Sequence, residues 1–163
     1  MNHRSFLLRD CVEADELAML EVIKAAFEEQ RGRVNPPSSA HGKTRAILHA
    51  ELQTARAIVA ETQSTPPHLV GCIFYEIKED SVYFSRLAVR PSHRGQGIGA
   101  ALIGEVERRG QGLGARLVTL SVRVVLTEQH KYYAKLGYHF VRYGTHPGFT
   151  EPTFMVMEKA LSP

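Results

Sequence analysis

A glycine-rich segment near the middle of the chain has the residue types and spacing to bind an anion. Residues 94–99 are Arg-Gly-Gln-Gly-Ile-Gly, and they follow an apolar run of β-branched and aromatic residues over 82–89. After the glycines, Ile98 and Leu102 begin an apolar stripe at helical spacing. A strand, a tight turn and a helix N-terminus together aim free backbone N–H groups and the positive end of the helix dipole at one point. The pattern therefore predicts a phosphate-binding turn, to which Arg94 adds positive charge.

The residues that follow the glycines narrow the type of phosphate ligand. A P-loop for nucleoside triphosphates needs Gly-Lys-Ser/Thr, whereas Gly99 is followed by two alanines. A dinucleotide fingerprint needs Gly-x-Gly-x-x-Gly, or its alanine variant, and an acidic residue about 20 positions later. The predicted strand around residues 117–121 contains no acid. A dinucleotide is thus disfavoured, and a solvated turn that binds nothing stays open as an alternative.

Two segments resemble the sequence markers of the GCN5-related N-acetyltransferase (GNAT) superfamily. Residues 94–99 are similar to its pyrophosphate-binding motif, (Arg/Gln)-x-x-Gly-x-(Gly/Ala), and residues 87–91, Leu-Ala-Val-Arg-Pro, resemble the end of its central strand. Residues 132–138, Tyr-Tyr-Ala-Lys-Leu-Gly-Tyr, resemble its second marker. The two markers have the family's order and approximate spacing, and the likeness covers the second half of the chain.

The resemblance implies an acyl-CoA-dependent N-acetyltransferase with acetyl-CoA as its cosubstrate. It implies that backbone N–H groups of residues 94–100 hold the diphosphate and that the pantetheine arm lies along an open edge of the fourth strand, where it bonds to backbone groups of Leu87 and Val89. The acetyl group then moves by direct attack to the amine of a small molecule or a peptide. The implied cosubstrate-binding residues are Leu87, Ala88, Val89, Arg94, Gly95, Gln96, Gly97, Ile98, Gly99 and Ala100.

The resemblance also implies that Tyr133 is the general acid. A phenol with a pKa of about 10 stays protonated at neutral pH and can donate to the departing thiolate. Because Tyr132 and Leu136 are four residues apart, we expect them to form the core pair of this helix. An aromatic core residue is the alternative interpretation of Tyr133.

The sequence leaves the general base open. An alkyl ammonium has a reference pKa of about 10.4 and must lose a proton before it attacks, but the predicted fourth strand carries no carboxylate. Glu76, Glu28, His130 and a water molecule are alternatives. Leu126 stands where many family members have an asparagine that contacts the cofactor. These departures motivate a second hypothesis, a non-catalytic acetyl-CoA-binding sensor or interaction module.

Arg86 is a charged residue within the apolar fourth strand. Strand alternation predicts that Phe84, Arg86 and Ala88 share one face of the sheet. Arg86 either pairs with an acid on a covering helix or reaches the acceptor pocket, where its guanidinium could hold a carboxylate. We expect that pocket to be formed by residues 33–43, the start of the second helix and residues 146–149.

Composition indicates one globular domain over residues 1–163. The chain is 44% hydrophobic and 23% charged, and its net charge of +3 comes without a run of Lys and Arg, which argues against a nucleic-acid partner. Cys11 and Cys72 are too few for a disulfide framework or a zinc site, so no metal is expected. No apolar stretch reaches the roughly 20 residues of a membrane span, and no signal peptide is evident. We therefore expect a cytoplasmic protein with no membrane partner, and a homodimer is compatible with this.

The expected fold is α+β, with a GNAT-like mixed sheet of about seven strands flanked by about four helices. Strands two to four follow one another without helices and should form an antiparallel meander, whereas the fifth follows a helix and should be parallel to the fourth. Gly110 is expected to end that helix, Thr127 to cap the last helix, and the fifth strand to be buried on both faces. The predicted strands cover residues 6–8, 57–60, 69–77, 82–89, 116–122, 138–143 and 153–158, and the predicted helices cover 15–30, 44–54, 97–109 and 127–136.

Overall fold

The computed structural model describes residues 4–162 and contains one sheet with helices on both faces. Within these residues no helix has both the length and the apolar character that a membrane span requires. The strands are β1 (Phe6–Asp10), β2 (Arg56–Thr62), β3 (Leu69–Ile77), β4 (Ser81–Val89), β5 (Leu117–Arg123), β6 (His139–Gly144) and β7 (Phe154–Ala160), and the helices are α1 (Glu16–Phe27), α2 (Arg45–Glu51), α3 (Ile98–Gly112) and α4 (Thr127–Lys135).

The seven strands form a mixed sheet in the order β1-β2-β3-β4-β5-β7-β6. Strands β1 to β4 pair antiparallel in succession, and β5, which follows α3, is parallel to β4. The predicted meander and the predicted parallel step are both confirmed. Since β7 inserts between β5 and β6, the last hairpin extends the sheet on the far side of β5.

Each face of the sheet has its own hydrophobic core. Buried side chains of α3, including Leu102, Ile103 and Val106, pack on one face with Val118 of β5. We call this the α3 core. Burying an aliphatic side chain of this size contributes about 1.5–3 kcal/mol, so these packed faces hold the layers together. On the opposite face α1 and α2 form the α1–α2 core with the sheet, whose fully buried members include Met19, Val22, Ile23, Leu48, Val59, Cys72 and Phe74.

The parallel pairing of β4 with β5 covers only the beginnings of the two strands. Its last pair is Tyr83 with Thr119, although β4 continues to Val89 and β5 to Arg123. The strands therefore separate towards their carboxyl ends, and the edge of β4 that faces β5 has no strand partner there. This gap lies beside the glycine turn and positions the site.

A β-bulge interrupts β4 inside the gap. One extra residue of β4 stands beside Ile73 of β3, and Arg86 adopts a left-handed backbone with φ +51°. Because a bulge shifts the alternation of side chains, Phe84 packs in the α3 core whereas Ala88 packs in the α1–α2 core. The prediction that Phe84, Arg86 and Ala88 share a face is therefore wrong.

The end of α3 differs from the expectation. The helix continues through Gly110 to Gly112, and Gly114, with φ +84°, follows it. A Cβ at position 110 would lie 2.6 Å from Cγ2 of Val82. Gly110 is therefore a close-packing position inside the helix rather than its stop.

Two further expectations need correction. Leu126 is the residue before α4, and Thr127 is the first helical residue, with no side-chain cap. In β5 only alternate residues are buried, and Ser121 and Arg123 on the other face line the gap rather than a core. The fifth strand is thus buried on one face.

Candidate active site

The glycine turn between β4 and α3 presents a row of free amides. Gly95 and Gly97 have φ of +77° and +80°, a region that favours glycine, and Gly97 is the N-cap of α3. Within residues 4–162 the backbone N–H groups from Gly95 to Ala100 donate to no acceptor, whereas that of Arg94 donates to the carbonyl of Pro91 at 3.4 Å. Free amides at a helix N-terminus form an anion site. The row of free amides therefore begins at Gly95, one residue later than predicted.

A cavity of about 460 Å³ extends from the turn along the open edge of β4. We call it the cosubstrate cavity. Ala88 is outside its lining because its side chain packs in the α1–α2 core, and Gln96 also lies outside the lining. The other predicted cosubstrate-binding residues line it: Leu87, Val89, Arg94, Gly95, Gly97, Ile98, Gly99 and Ala100.

Two ion pairs lie in the wall of the cosubstrate cavity. The guanidinium of Arg94 pairs with the carboxylate of Glu29, which follows α1. Arg33 donates to Glu128 of α4 at 2.8 Å. All four side chains are substantially exposed, so each pair is open to competition from a charged ligand.

A second cavity of about 380 Å³ occupies the gap where β4 and β5 separate. We call it the acceptor cavity. Ser85 and Arg86 of β4 line one side, and Ser121 and Arg123 of β5 line the other. Its lining within the described chain contains no Asp or Glu. Side chains shared by the walls of both cavities are Phe27, Gln30, Leu87, Leu126, Gln129 and Tyr133.

Tyr133 lies in the wall between the two cavities. It is 8% exposed, and in the α3 core its ring is tilted against Phe84 and packs edge-to-face with Tyr138. Burial raises the pKa of its phenol well above the usual value, so the hydroxyl stays protonated at neutral pH. The hydroxyl of Tyr138 donates to Glu107, whereas no described residue bonds to that of Tyr133. Tyr133 can therefore donate its proton to a ligand atom.

Tyr132 does not have the predicted core position. It is 38% exposed and lines the cosubstrate cavity, while Leu136 is partly buried against the α3 core. A Cβ added to Gly99 would lie 2.9 Å from the Tyr132 hydroxyl. The spacing argument failed because the turn of α4 points Tyr133, not Tyr132, into the sheet.

Arg86 pairs with an acid on a covering helix and also lines the acceptor cavity. It lines the acceptor cavity, and its Nη2 donates to Oε1 of Glu51 at 2.9 Å. Glu51 is the last residue of α2, so the predicted partner on a covering helix is confirmed. The same carboxylate accepts from Nζ of Lys43 at 2.6 and 2.7 Å, and Lys43 is only 1% exposed. Two cations thus share one carboxylate.

Arg123 is a lining residue that the sequence analysis did not single out, whereas His146 belongs to the predicted 146–149 segment. Nη1 of Arg123 is buried and has no hydrogen-bond partner within residues 4–162. Burial lowers the pKa of the Arg123 guanidinium. Burial and the nearby charge of Arg123 lower the pKa of His146 below its usual value, so the imidazole is neutral at pH 7. The alternation of Ser121 and Arg123 in an otherwise apolar strand was the available signal.

The three side chains considered as bases lie outside both cavity linings. Glu76 pairs with Lys78 at 3.4 Å, and Glu28 pairs with Arg31 at 2.7 Å. His130 contacts the carbonyl of Arg123 through Nε2 at 2.8 Å.

The predicted acceptor-pocket segments contribute single residues. Ser38 is the residue of the 33–43 segment that lines the acceptor cavity, and His146 is the residue of the 146–149 loop that does so. The start of α2 is outside the lining, and this helix instead contacts Arg86 through its last residue, Glu51.

Comparisons with known proteins agree with this arrangement. The model of the acetyltransferase (GNAT) family matches residues 18–138. A comparison with curated proteins gave no match. Among solved structures, PaiA N-acetyltransferase from Thermoplasma acidophilum in complex with coenzyme A superposes with a TM-score of 0.77 at 19% identity, covering 96% of this chain and 99% of that one.

Two other solved structures have the same fold. The ribosomal-protein-S18-alanine N-acetyltransferase from Escherichia coli has a TM-score of 0.72 at 16% identity, covering 97% of this chain and 95% of that one. A spermidine N-acetyltransferase SpeG chimera from Vibrio cholerae and hSSAT has a TM-score of 0.75 at 15% identity, covering 96% of both chains.

The separated strands, the amide-rich turn and the match over residues 18–138 define an acyl-CoA-dependent transferase. The chain belongs to the acetyltransferase (GNAT) family. Membership of this family makes it an N-acetyltransferase with acetyl-CoA as its cosubstrate.

Proposed function

We propose that the chain transfers the acetyl group of acetyl-CoA to the amine of a small molecule or peptide by direct attack, with Tyr133 as general acid. The observation that carries this proposal is the position of Tyr133, buried in the wall that the cosubstrate and acceptor cavities share. A group there can reach a thioester that enters from one side and an amine that enters from the other.

The cosubstrate is proposed to lie along the turn and the open edge of β4. The free amides from Gly95 to Ala100 and the side chain of Arg94 suit the diphosphate. The unpaired edge of β4 at Leu87 and Val89 suits the amide groups of the pantetheine arm, which would add to the sheet like a strand.

In the proposed reaction the amine nitrogen forms a bond to the thioester carbonyl carbon, and the carbon–sulfur bond breaks. The bonding electrons leave with the sulfur, which takes a proton from the Tyr133 hydroxyl. The proton that the nitrogen loses as it becomes an amide nitrogen then restores this hydroxyl, and the proton taken from the ammonium passes to solvent. Because burial keeps that phenol protonated, the donor is available over the whole neutral range.

His146 is the proposed base that takes the proton from the attacking ammonium. Thr153 Oγ1 contacts Nδ1 of His146 and also accepts from its backbone N–H at 2.8 Å. A hydroxyl oxygen has two lone pairs, so it can accept from both, and Nε2 is then the free acceptor. The lowered pKa of this imidazole keeps it in the neutral form that a base requires.

The test replaces Tyr133 by phenylalanine. Tyr133→Phe removes the proton donor and keeps the ring packing, so kcat should fall by about 10²- to 10⁴-fold while the Kd for acetyl-CoA stays the same. Tyr143→Phe, on exposed β6, is the matched control and should change neither quantity. An unchanged kcat for Tyr133→Phe removes this residue from the mechanism.

Two other proposals concern the same molecule. Acetyl-CoA binding without turnover of any amine would favour the alternative, a non-catalytic sensor or interaction module, which the leucine at position 126 motivates.

A homodimer is also proposed, and light scattering coupled to size-exclusion chromatography at micromolar concentration tests it. A mass near 36 kDa supports the dimer, and the chain mass of 18.2 kDa contradicts it.

A further inference from the structure

The acceptor cavity is positively charged on two sides. Arg86 at the bulge of β4 and Arg123 at the end of β5 both line it, three and four residues beyond the last β4–β5 pair. Within the described residues no carboxylate lines the cavity to balance them. The two arginines therefore stand at about the same level of the separated strands.

Arg123 has unused hydrogen-bonding capacity. Its Nη1 is buried without a partner in the described chain, and a guanidinium cannot discard its proton in a protein. Leaving a charged donor buried and unpaired is costly, so such a group is commonly satisfied by a ligand or water.

Arg86 is only partly neutralised. Its partner Glu51 is held through both carboxylate oxygens by Lys43, which is buried. The single negative charge of Glu51 therefore neutralises only one of two positive charges, and the remaining positive charge lies beside the acceptor cavity. The carboxylates nearest the cosubstrate cavity, Glu29 and Glu128, are already paired with Arg94 and Arg33.

We infer that the acceptor is a small molecule that carries an acidic group, a carboxylate or a phosphate, in addition to the amine that is acetylated. This inference rests on the proposed function and names its substrate class. Arg123 and Arg86 hold the acidic group with charge-assisted, forked hydrogen bonds. Ser85 and Ser121 line the same cavity and supply hydroxyls to the acid or to the neutral part of the molecule.

The same charges disfavour polycationic acceptors. A second ammonium group in this cavity would lie beside two guanidinium groups with no carboxylate in the lining to receive it. A polyamine is thus expected to be a poor substrate of this chain.

The experiment compares kcat/KM for matched amines at saturating acetyl-CoA. The panel contains free amino acids, the carboxamides of the same amino acids, the corresponding amines without the acid, O-phosphoethanolamine with ethanolamine, and spermidine. The acidic member of at least one set should exceed its neutral partner by about 10- to 100-fold, the usual gain from a hydrogen-bonded charge. The comparison of O-phosphoethanolamine with ethanolamine shows whether the cavity prefers a phosphate or a carboxylate.

Variants connect this preference to the arginines. At about pH 8, above the acidic limb expected for His146, Arg123→Gln should raise KM for the acidic acceptor by about 10- to 100-fold and affect its neutral partner much less, and Arg86→Gln should act in the same direction. Arg123→Lys should recover part of the loss, since it restores the charge without the fork. Arg142→Gln on exposed β6 is the matched control and should change nothing. Acetyl-CoA titration and thermal unfolding check that each variant is folded.

The outcomes separate this inference from the proposed function. Equal or higher kcat/KM for carboxamides, neutral amines or spermidine would overturn the inference alone, because acetyl transfer would stand. Equal losses for acidic and neutral acceptors in Arg123→Gln would also overturn it. No turnover of any amine by a protein that binds acetyl-CoA would overturn the proposed function, and the inference with it.

Discussion

Arg94 and Glu29 form an ion pair in the wall of the cosubstrate cavity. Arg94 begins the glycine turn and Glu29 follows α1, so the pair links two elements that a bound diphosphate would also touch. The pair occupies part of the guanidinium that a phosphate oxygen could use, and the carboxylate repels the same ligand.

Replacing Glu29 by glutamine should therefore tighten acetyl-CoA binding. Exposed ion pairs are worth about 0–1 kcal/mol, so the gain in affinity is at most about fivefold. Isothermal titration at low and high salt measures it, and the gain should shrink as salt rises. Glu79→Gln, in the β3–β4 turn, is a matched charge control. A weaker affinity in Glu29→Gln would show that the carboxylate helps to build the site.

A second prediction concerns the left-handed backbone of Gly97. A Cβ there meets no atom within 4 Å, so any effect of substitution is conformational rather than steric contact with neighbours. Gly97→Ala should lower the free energy of unfolding by about 1–2 kcal/mol and weaken acetyl-CoA binding, because relieving the strain turns the amides away. The stability and acetyl-CoA affinity of Gly97→Asn should lie between those of the parent protein and of Gly97→Ala, since asparagine tolerates a left-handed backbone.

The matched control for that prediction is Gly104→Ala in the same helix. Gly104 also has open space at its Cβ position but lies in the helix interior, outside the cosubstrate cavity. This change should stabilise the fold by up to about 1 kcal/mol through helix propensity and leave acetyl-CoA binding unchanged. Equal acetyl-CoA affinity in Gly97→Ala and the parent protein would contradict the proposed role of the turn.

Much of the architecture could be predicted from local sequence patterns. The predicted third strand, residues 69–77, coincides with β3, and the glycine turn is followed by α3 as expected. These features are encoded within a few neighbouring residues, as apolar runs, glycine spacing and helical stripes. The order of the meander and the parallel step also followed from the succession of elements.

Apart from single residues of the 33–43 and 146–149 segments, the acceptor side of the site could not be predicted in this way. The bulge at Arg86 depends on how β4 aligns with β3, and Arg123 and His146 meet only because β5 separates from β4 and the segment before β7 returns to the gap. Such contacts are set by the packing of distant elements, which alternation within one strand does not encode. The core position predicted for Tyr132 was wrong for the same reason.

A third prediction tests the close packing of α3 on β4. Alanine at position 110 would place its Cβ 2.6 Å from Cγ2 of fully buried Val82, a stiff β-branched side chain. Overpacking of this kind costs about 1–3 kcal/mol, against about 1 kcal/mol gained from helix propensity, so Gly110→Ala should destabilise the fold by up to about 2 kcal/mol. Urea unfolding measures it.

The double variant Gly110→Ala with Val82→Ala isolates that contact. If the two side chains clash, the cost of the pair should be smaller than the sum of the single costs, and the difference is their coupling energy. Additive costs would show that the loss in Gly110→Ala has another origin.

The last prediction concerns the pH dependence of acetyl transfer. If His146 is the base, kcat/KM rises with pH as the imidazole loses its proton. Because burial and the charge of Arg123 lower the pKa of His146, the midpoint of this acidic limb should lie below 6.5. Arg123→Gln removes the repulsive charge, so the pKa rises and the limb should move to higher pH, whatever the absolute rate. His146→Gln should abolish the acidic limb of kcat/KM and lower kcat by about 10²-fold or more.

His139→Gln on exposed β6 serves as the control and should leave the pH profile of kcat/KM unchanged. A limb that persists in His146→Gln would assign the deprotonation to water or to another group.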